Sequence, residues 1–129
     1  MFRNLVVGAA LLWLGVSQGW CADSAQDFYK GKTISYIVAT SPGGGYDSYG
    51  RLVARYMNKY LPGSKIIIRN MPGAGHVIGA NTIYAARPDG LTIGTFNTGL
   101  IYLQLLQESG VRFDLAKMSW IGKDRKSVV

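Results

Sequence analysis

An α/β fold built from parallel βαβ units follows from three features of the sequence. Short apolar, β-branched runs alternate with segments of helical period. The apolar runs are continuous, as in strands covered on both faces. Each run ends in a Gly- or Pro-containing break that leads into a helix. Crossovers in such sheets are right-handed. Every strand-to-helix break therefore emerges at one carboxyl edge, where open α/β sheets bind their ligands.

The first strand is Ile34 to Ala39, broken by Pro42-Gly43-Gly44-Gly45. From Asp47, apolar residues recur at Tyr49, Leu52, Val53, Tyr56, Met57, Tyr60 and Leu61, the i, i+3, i+4, i+7 pattern of an amphipathic helix. Arg51, Arg55 and Lys59 form a second row at i+4 spacing, expected to be solvated, and Pro62-Gly63 ends the helix. Lys65 to Arg69 is the second strand, broken by Asn70-Met71-Pro72-Gly73-Ala74-Gly75. A weaker helix spans about His76 to Ala86, and Pro88-Asp89-Gly90 is a turn. Leu91 to Phe96 is the third strand, Asn97-Thr98-Gly99 the third break, and a helix follows from Leu100 to Glu108. Trp120-Ile121 is read as the start of a fourth strand.

The chain has 129 residues, 48% hydrophobic and 16% charged, enough for one domain and too apolar for disorder. A single Cys (Cys21) and a single His (His76) exclude a disulfide framework and a zinc finger. The net charge of +7 is scattered and does not point to nucleic acid. Residues 1–22 have the layout of a secretory signal peptide: Arg3, an apolar stretch from Leu5 to Val16, then small and polar residues. That stretch is short for a bilayer span of about 20 residues. Trp20 before Cys21 excludes a lipoprotein site. With Arg3 removed, 13 basic residues face 7 acidic ones, a net charge of +6 on a mature chain expected in the periplasm.

The chemistry lies in the three breaks. In Pro42-Gly43-Gly44-Gly45-Tyr46-Asp47, successive glycines let backbone N–H groups converge without side-chain obstruction. The helix that follows adds positive dipole, which suits a carboxylate or phosphate. Asp47 would repel an anion and reads as a cap or loop brace. A plain tight turn is the bland alternative. The second break, Gly73-Ala74-Gly75-His76-Val77-Ile78-Gly79, imitates a dinucleotide fingerprint. It lacks the first-strand position and the acidic residue about 20 positions on, and Asp89 lies in a turn. His76 opens this helix, either touching a bound anion or capping locally. No Ser-His-Asp set, carboxylate pair or poised Cys–His pair is present, so no catalytic group and no cofactor are expected.

The stretches FYKGKTISYIVATSPGGGYDSYGRLVARYM, IIIRNMPGAGHVIGANTIYAARPDG, LTIGTFNTG and VRFDLAKMSWIG resemble the extracytoplasmic solute-binding proteins of tripartite tricarboxylate transporters, the Bug family. The linked pair P-G-G-x-x-D-x-x-x-R and N-x-P-G-A-G, followed by P-D-G, carries the resemblance, which runs from about Asp27 to Gly122. It implies the first lobe of a two-lobed, type II periplasmic binding (venus-flytrap) fold, with residues 23–129 as an incomplete first lobe. It also implies capture of a small carboxylate for delivery to membrane transporter subunits, not an enzyme. Carried over, the ligand loops are Pro42, Gly43, Gly44, Gly45, Tyr46 and Asp47, then Pro72, Gly73, Ala74, Gly75 and His76, with a contribution from Asn97 and Thr98. Tyr46 and His76 depart from the smaller residues of many members and bear on which acid fits. Family members are about twice this length, so the second lobe is expected to be missing. The competing readings are a nucleotide-dependent oxidoreductase fragment, tested by NADH fluorescence, and a sensory module that presents a ligand to a receptor, tested by partner pulldown.

Overall fold

The computed structural model describes residues 21–122. Helix α1 (Cys21–Tyr29) precedes strand β1 (Thr33–Val38), helix α2 (Gly45–Tyr60), strand β2 (Lys65–Asn70), helix α3 (Val77–Ala85), strand β3 (Thr92–Thr95) and helix α4 (Leu100–Leu105). Short 3-10 turns occupy Ala74–His76 and Leu115–Lys117. The three strands form one parallel sheet in the order β2-β1-β3. The α/β architecture is the one the alternation predicts. The signal-peptide reading falls outside the described residues, apart from Cys21 and Ala22, which begin α1.

The central strand is buried on both faces. Ile34, Tyr36, Ile37, Val38 and Ala39 are all core residues, as expected of a strand with neighbours on each side. Side chains alternate between faces along a strand. Tyr36 and Val38 therefore meet Ala54 and Val53 of α2, with Ile66, Ile68 and Ile93 beside them. Ala39, on the opposite face, lies under α3. The second cluster joins Val77 and Ala80 of α3 to Leu100, Phe113 and Leu115.

Both helices approach the strand through a glycine. A methyl group at position 50 would lie 2.9 Å from Val38 Cγ2, and one at position 79 would lie 2.5 Å from Ala39 Cβ and 2.8 Å from Ala39 Cα. Gly79, the last glycine of the fingerprint-like run, is thus accounted for by helix–strand packing.

Three expectations need correction. Most of the apolar row of α2 does not face the core, Val53 being the member that packs against it. Tyr49, Leu52, Tyr56 and Tyr60 are exposed, Tyr60 at 64%, while Asp47, Gly50 and Ala54 are buried. The small pair Gly50 and Ala54 allows closer approach to the strand than a row of tyrosines, so the contact settles on the small residues. Residues 120 and 121 form no strand: the Trp120 indole N–H donates to the Leu115 carbonyl (3.0 Å), its ring packs edge-on against Phe96 at 5.8 Å, and Ile121 is exposed. Helix α1 was not anticipated, although Ala22, Ala25 and Phe28 recur at intervals of three. Element ends also move inward, with β3 covering four residues and α4 six.

Gly79→Ala is expected to destabilise this chain by about 1–3 kcal/mol, because the clash is with backbone that cannot move aside. The ~1 kcal/mol of helix propensity that Ala gains does not offset it. Gly50→Ala meets a methyl group instead and should cost less. Urea midpoints followed by circular dichroism check the order; equal or reversed costs would refute the packing account.

Candidate ligand-binding site

All three strands end at one level. Val38 pairs with Asn70 on one side and with Thr95 on the other. The breaks at 39–44, 71–76 and 96–99 therefore leave the sheet side by side, as the topology predicts.

One carboxylate ties the first two breaks together. Asp47 Oδ2 accepts from the Gly43 N–H (3.0 Å) and from Arg51 Nε (2.9 Å), and Oδ1 accepts from Asn70 Nδ2 (2.9 Å). The same Asn70 amide donates to the Thr40 carbonyl at 3.0 Å. Asp47 is only 4% exposed. The Arg51 guanidinium, then the Gly43 N–H and the Asn70 amide, hold its carboxyl well below the ordinary value of 3.8. The brace reading of Asp47 is what the structure shows, and its side chain faces the loop interior rather than the open edge.

The glycines divide their work. Gly43 has φ 87°, which favours glycine, and its N–H is spent on Asp47. Gly44 is extended (φ −85°, ψ 173°), with nothing closer than Ser41 O at 4.0 Å from a Cβ placed there. The Gly44 backbone therefore accepts a side chain without clash within the loop. Gly44 is the N-cap of α2 with no capping side chain, so the first-turn N–H groups, from Gly45 and Tyr46 onward, meet no side-chain acceptor among the described residues. Pro42 is exposed beside them.

The second break has positive φ over its last four residues. Gly73, Ala74, Gly75 and His76 have φ of 125°, 46°, 59° and 81°. Ala74 and His76 hold a conformation that costs an L-residue about 1–2 kcal/mol. Such strain is retained where the surroundings over-determine it, commonly at functional loops. Pro72 and Ala74 are exposed, and the His76 N–H donates to the Gly73 carbonyl at 3.1 Å. The His76 ring packs edge-on against Tyr46 at 5.3 Å, so these two side chains join the first and second breaks. His76 Nδ1 is buried without a hydrogen-bond partner among the described residues, as is Thr40 Oγ1 in the first break. Burial lowers the His76 pKa below 6.5 and favours its neutral form.

The third break is self-contained. Asn97 Oδ1 accepts from the Gly99 N–H at 2.7 Å, and the Thr98 carbonyl accepts from Ile101 N–H at 3.2 Å. Asn97 and Thr98 lie at the shared edge, but none of these bonds reaches the other two breaks. The residues that sequence reasoning did not assign to the site are Thr40, Arg51 and Asn70. Arg51 and Asn70 both stood inside the quoted motifs, and the i+4 spacing of Asp47 and Arg51 was the legible signal.

The model of the tripartite tricarboxylate transporter family receptor matches residues 50–115. The chain belongs to this receptor family. Among its relatives, the "UPF0065 protein in the TAR-I ttuE-ttuC' intergenic region" of Agrobacterium vitis is 37% identical over 81 residues, which are 63% of this chain and 23% of that protein. Protein BugT of Bordetella pertussis is 32% identical over 88 residues, covering 68% of this chain and 26% of BugT. A solved structure described as a periplasmic transporter is 41% identical, covering 51% of this chain and 22% of that one, with a TM-score of 0.48. The chain thus spans about a quarter of the length of the curated relatives it matches.

His76 and Asp47 act on acid stability with one sign. A His whose folded pKa is lowered binds fewer protons than in the unfolded chain, so its contribution is full above 6.5 and declines as pH falls below that value. Asp47, also lowered, contributes above 3.8 and loses that contribution as pH falls further. Stability should therefore decline in two acid stages. His76→Asn removes the titration while keeping a residue type that tolerates left-handed backbone, and should abolish the first stage alone. Urea midpoints from pH 8 to pH 3 give the comparison; an unchanged first stage would exclude His76 as its source.

Proposed function

We propose that the chain forms the first ligand-holding part of an extracytoplasmic solute-binding protein. In this reading it is exported by a cleaved signal peptide over residues 1–22 and captures a small carboxylate for a membrane transporter. The role is binding, with no chemistry done on the ligand. The observation that carries the reading is the uncapped first turn of α2, set by the Asp47 brace beside the left-handed break. Free helix N–H groups and dipole at that position suit a carboxylate. Membership of a transporter receptor family supports the same role.

In this proposal Gly45 and Tyr46 offer main-chain N–H groups to one end of the acid, and Gly73 to His76 form the adjoining wall. Pro42, Gly43, Gly44, Pro72, Asn97 and Thr98 complete the rim, while Asp47 acts from behind it. Two or three charge-assisted hydrogen bonds give roughly 1.5–3 kcal/mol each. Ordering and desolvation take back several kcal/mol, so this chain should bind a di- or tricarboxylate at about millimolar strength.

Gly44→Asp tests the reading directly. Gly44 already has N-cap geometry, and an Asp there would cap the first turn and raise stability by a few tenths of a kcal/mol. It would also place a carboxylate where the ligand's is proposed to sit. The expected result is a raised thermal midpoint with carboxylate binding at least about tenfold weaker, by calorimetric titration. A stabilised variant with undiminished binding would remove this helix end from the site.

A further inference from the structure

The amino edge of the sheet, opposite the proposed ligand edge, carries a separate feature. The three turns that lead into the strands are bonded into one surface. Gly31 N–H donates to the Gly63 carbonyl (2.8 Å), Lys65 N–H to the Lys32 carbonyl (2.9 Å), and Ser35 N–H to the Leu91 carbonyl (2.8 Å). The Tyr29 hydroxyl donates to the Gly90 carbonyl at 3.4 Å. These turns and the adjoining end of α2 bring together Lys30, Lys32, Lys59, Lys65 and Arg87. Three acids lie in the same elements, Asp23 and Asp27 in α1 and Asp89 in the turn before β3, against five cations, and the Asp89 carboxylate is engaged by the Leu91 N–H at 2.9 Å. None of the five cations forms an ion pair among the described residues. Two aromatic rings are exposed among them: Phe28, with Lys32 Nζ 3.3 Å from its centroid, and Tyr60, with Lys59 Nζ at 5.7 Å.

We propose that this edge is a docking surface for an anionic phospholipid bilayer. Lysines clustered without acidic partners are attracted to a negative lipid surface, and exposed aromatic rings between them suit the headgroup region. The composition distinguishes lipid from protein. Protein interfaces are enriched in Arg and depleted in Lys, whereas four of these five cations are Lys. The Lys stems are long enough to lay their charges on a headgroup plane while the turns stay above it. Docking here would leave the opposite edge, with its three breaks, turned away from the membrane.

The test is partition of the full chain onto vesicles. It is read as the ratio of its partition coefficients on phosphatidylglycerol–phosphatidylcholine and on pure phosphatidylcholine vesicles. Any apolar contribution of residues 1–20 is common to both lipids and cancels. Substituting Lys30→Gln, Lys32→Gln, Lys59→Gln and Lys65→Gln together should lower the ratio at low salt by at least about tenfold. The pair Lys59→Gln and Lys65→Gln should lower it by an intermediate factor. A charge-matched control, Arg55→Gln, Arg69→Gln, Arg112→Gln and Lys117→Gln, should leave it within about threefold of the parent, since those residues lie off this edge. Equal losses in the two sets would mean that net charge alone is responsible, and would overturn the proposal. A ratio near one for the parent would also overturn it, as would retention by an acidic peptide without retention by anionic vesicles.

Discussion

The architecture of the carboxyl edge depends on the buried carboxylate of Asp47. It accepts from a loop N–H, from a helix side chain and from a residue at the end of the neighbouring strand. Removing it would leave the Asn70 amide with only the Thr40 carbonyl, and would free Gly43 to leave its left-handed turn. Charge-assisted hydrogen bonds are about twice as strong as neutral ones, and here three converge on one group. The Arg51 partner also changes the electrostatics. An acid in the first turn of a helix would repel an anionic ligand, but paired with Arg51 at 2.9 Å it presents little net charge.

The brace acts on a frame that is itself closely held. The central strand touches α2 through Gly50 on one face and α3 through Gly79 on the other. Each helix start is therefore positioned by contact with the same strand whose end supplies the first break. The left-handed run at residues 73–76 sits between the end of β2 and the start of α3, and both of those elements are fixed. Such anchoring at both ends lets Ala74 and His76 keep an unfavourable conformation. The contact of Tyr46 with His76 then joins the strained break to the uncapped helix start.

Much of this was legible in the sequence, for identifiable reasons. Continuous apolar runs located all three strands, because a strand covered on both faces has no polar alternation to confuse the reading. The glycine breaks marked the edge, whereas Arg51 was read only as one of a solvated row and its pairing with Asp47 was missed. The orientation of α2 was not legible. Hydrophobicity favoured the tyrosine row, whereas the fold chose the face with Gly50 and Ala54, since close packing against a strand depends on size as well as polarity. Nor does a run of three glycines reveal which one has positive φ; only Gly43 does. The link from Asp47 to Asn70 spans 23 positions and exists only once parallel pairing sets Val38 beside Asn70.

The two edges of the sheet handle charge in opposite ways. At the carboxyl edge, Arg51 is consumed by Asp47 and His76 is kept neutral by burial. What remains for the proposed carboxylate there is main-chain N–H and helix dipole, worth about 0.3–1 kcal/mol per helix end. At the amino edge, the lysines are left unpaired among the described residues. In the proposed role, ligand release gains from the first arrangement, because weak, pre-oriented donors bind without the deep trap that a buried unpaired cation would set. The proposed docking gains from the second because exposed charge attracts over a Debye length of about 8–10 Å without fixing geometry. Selectivity would then come from shape, at the Tyr46–His76 contact, and not from charge.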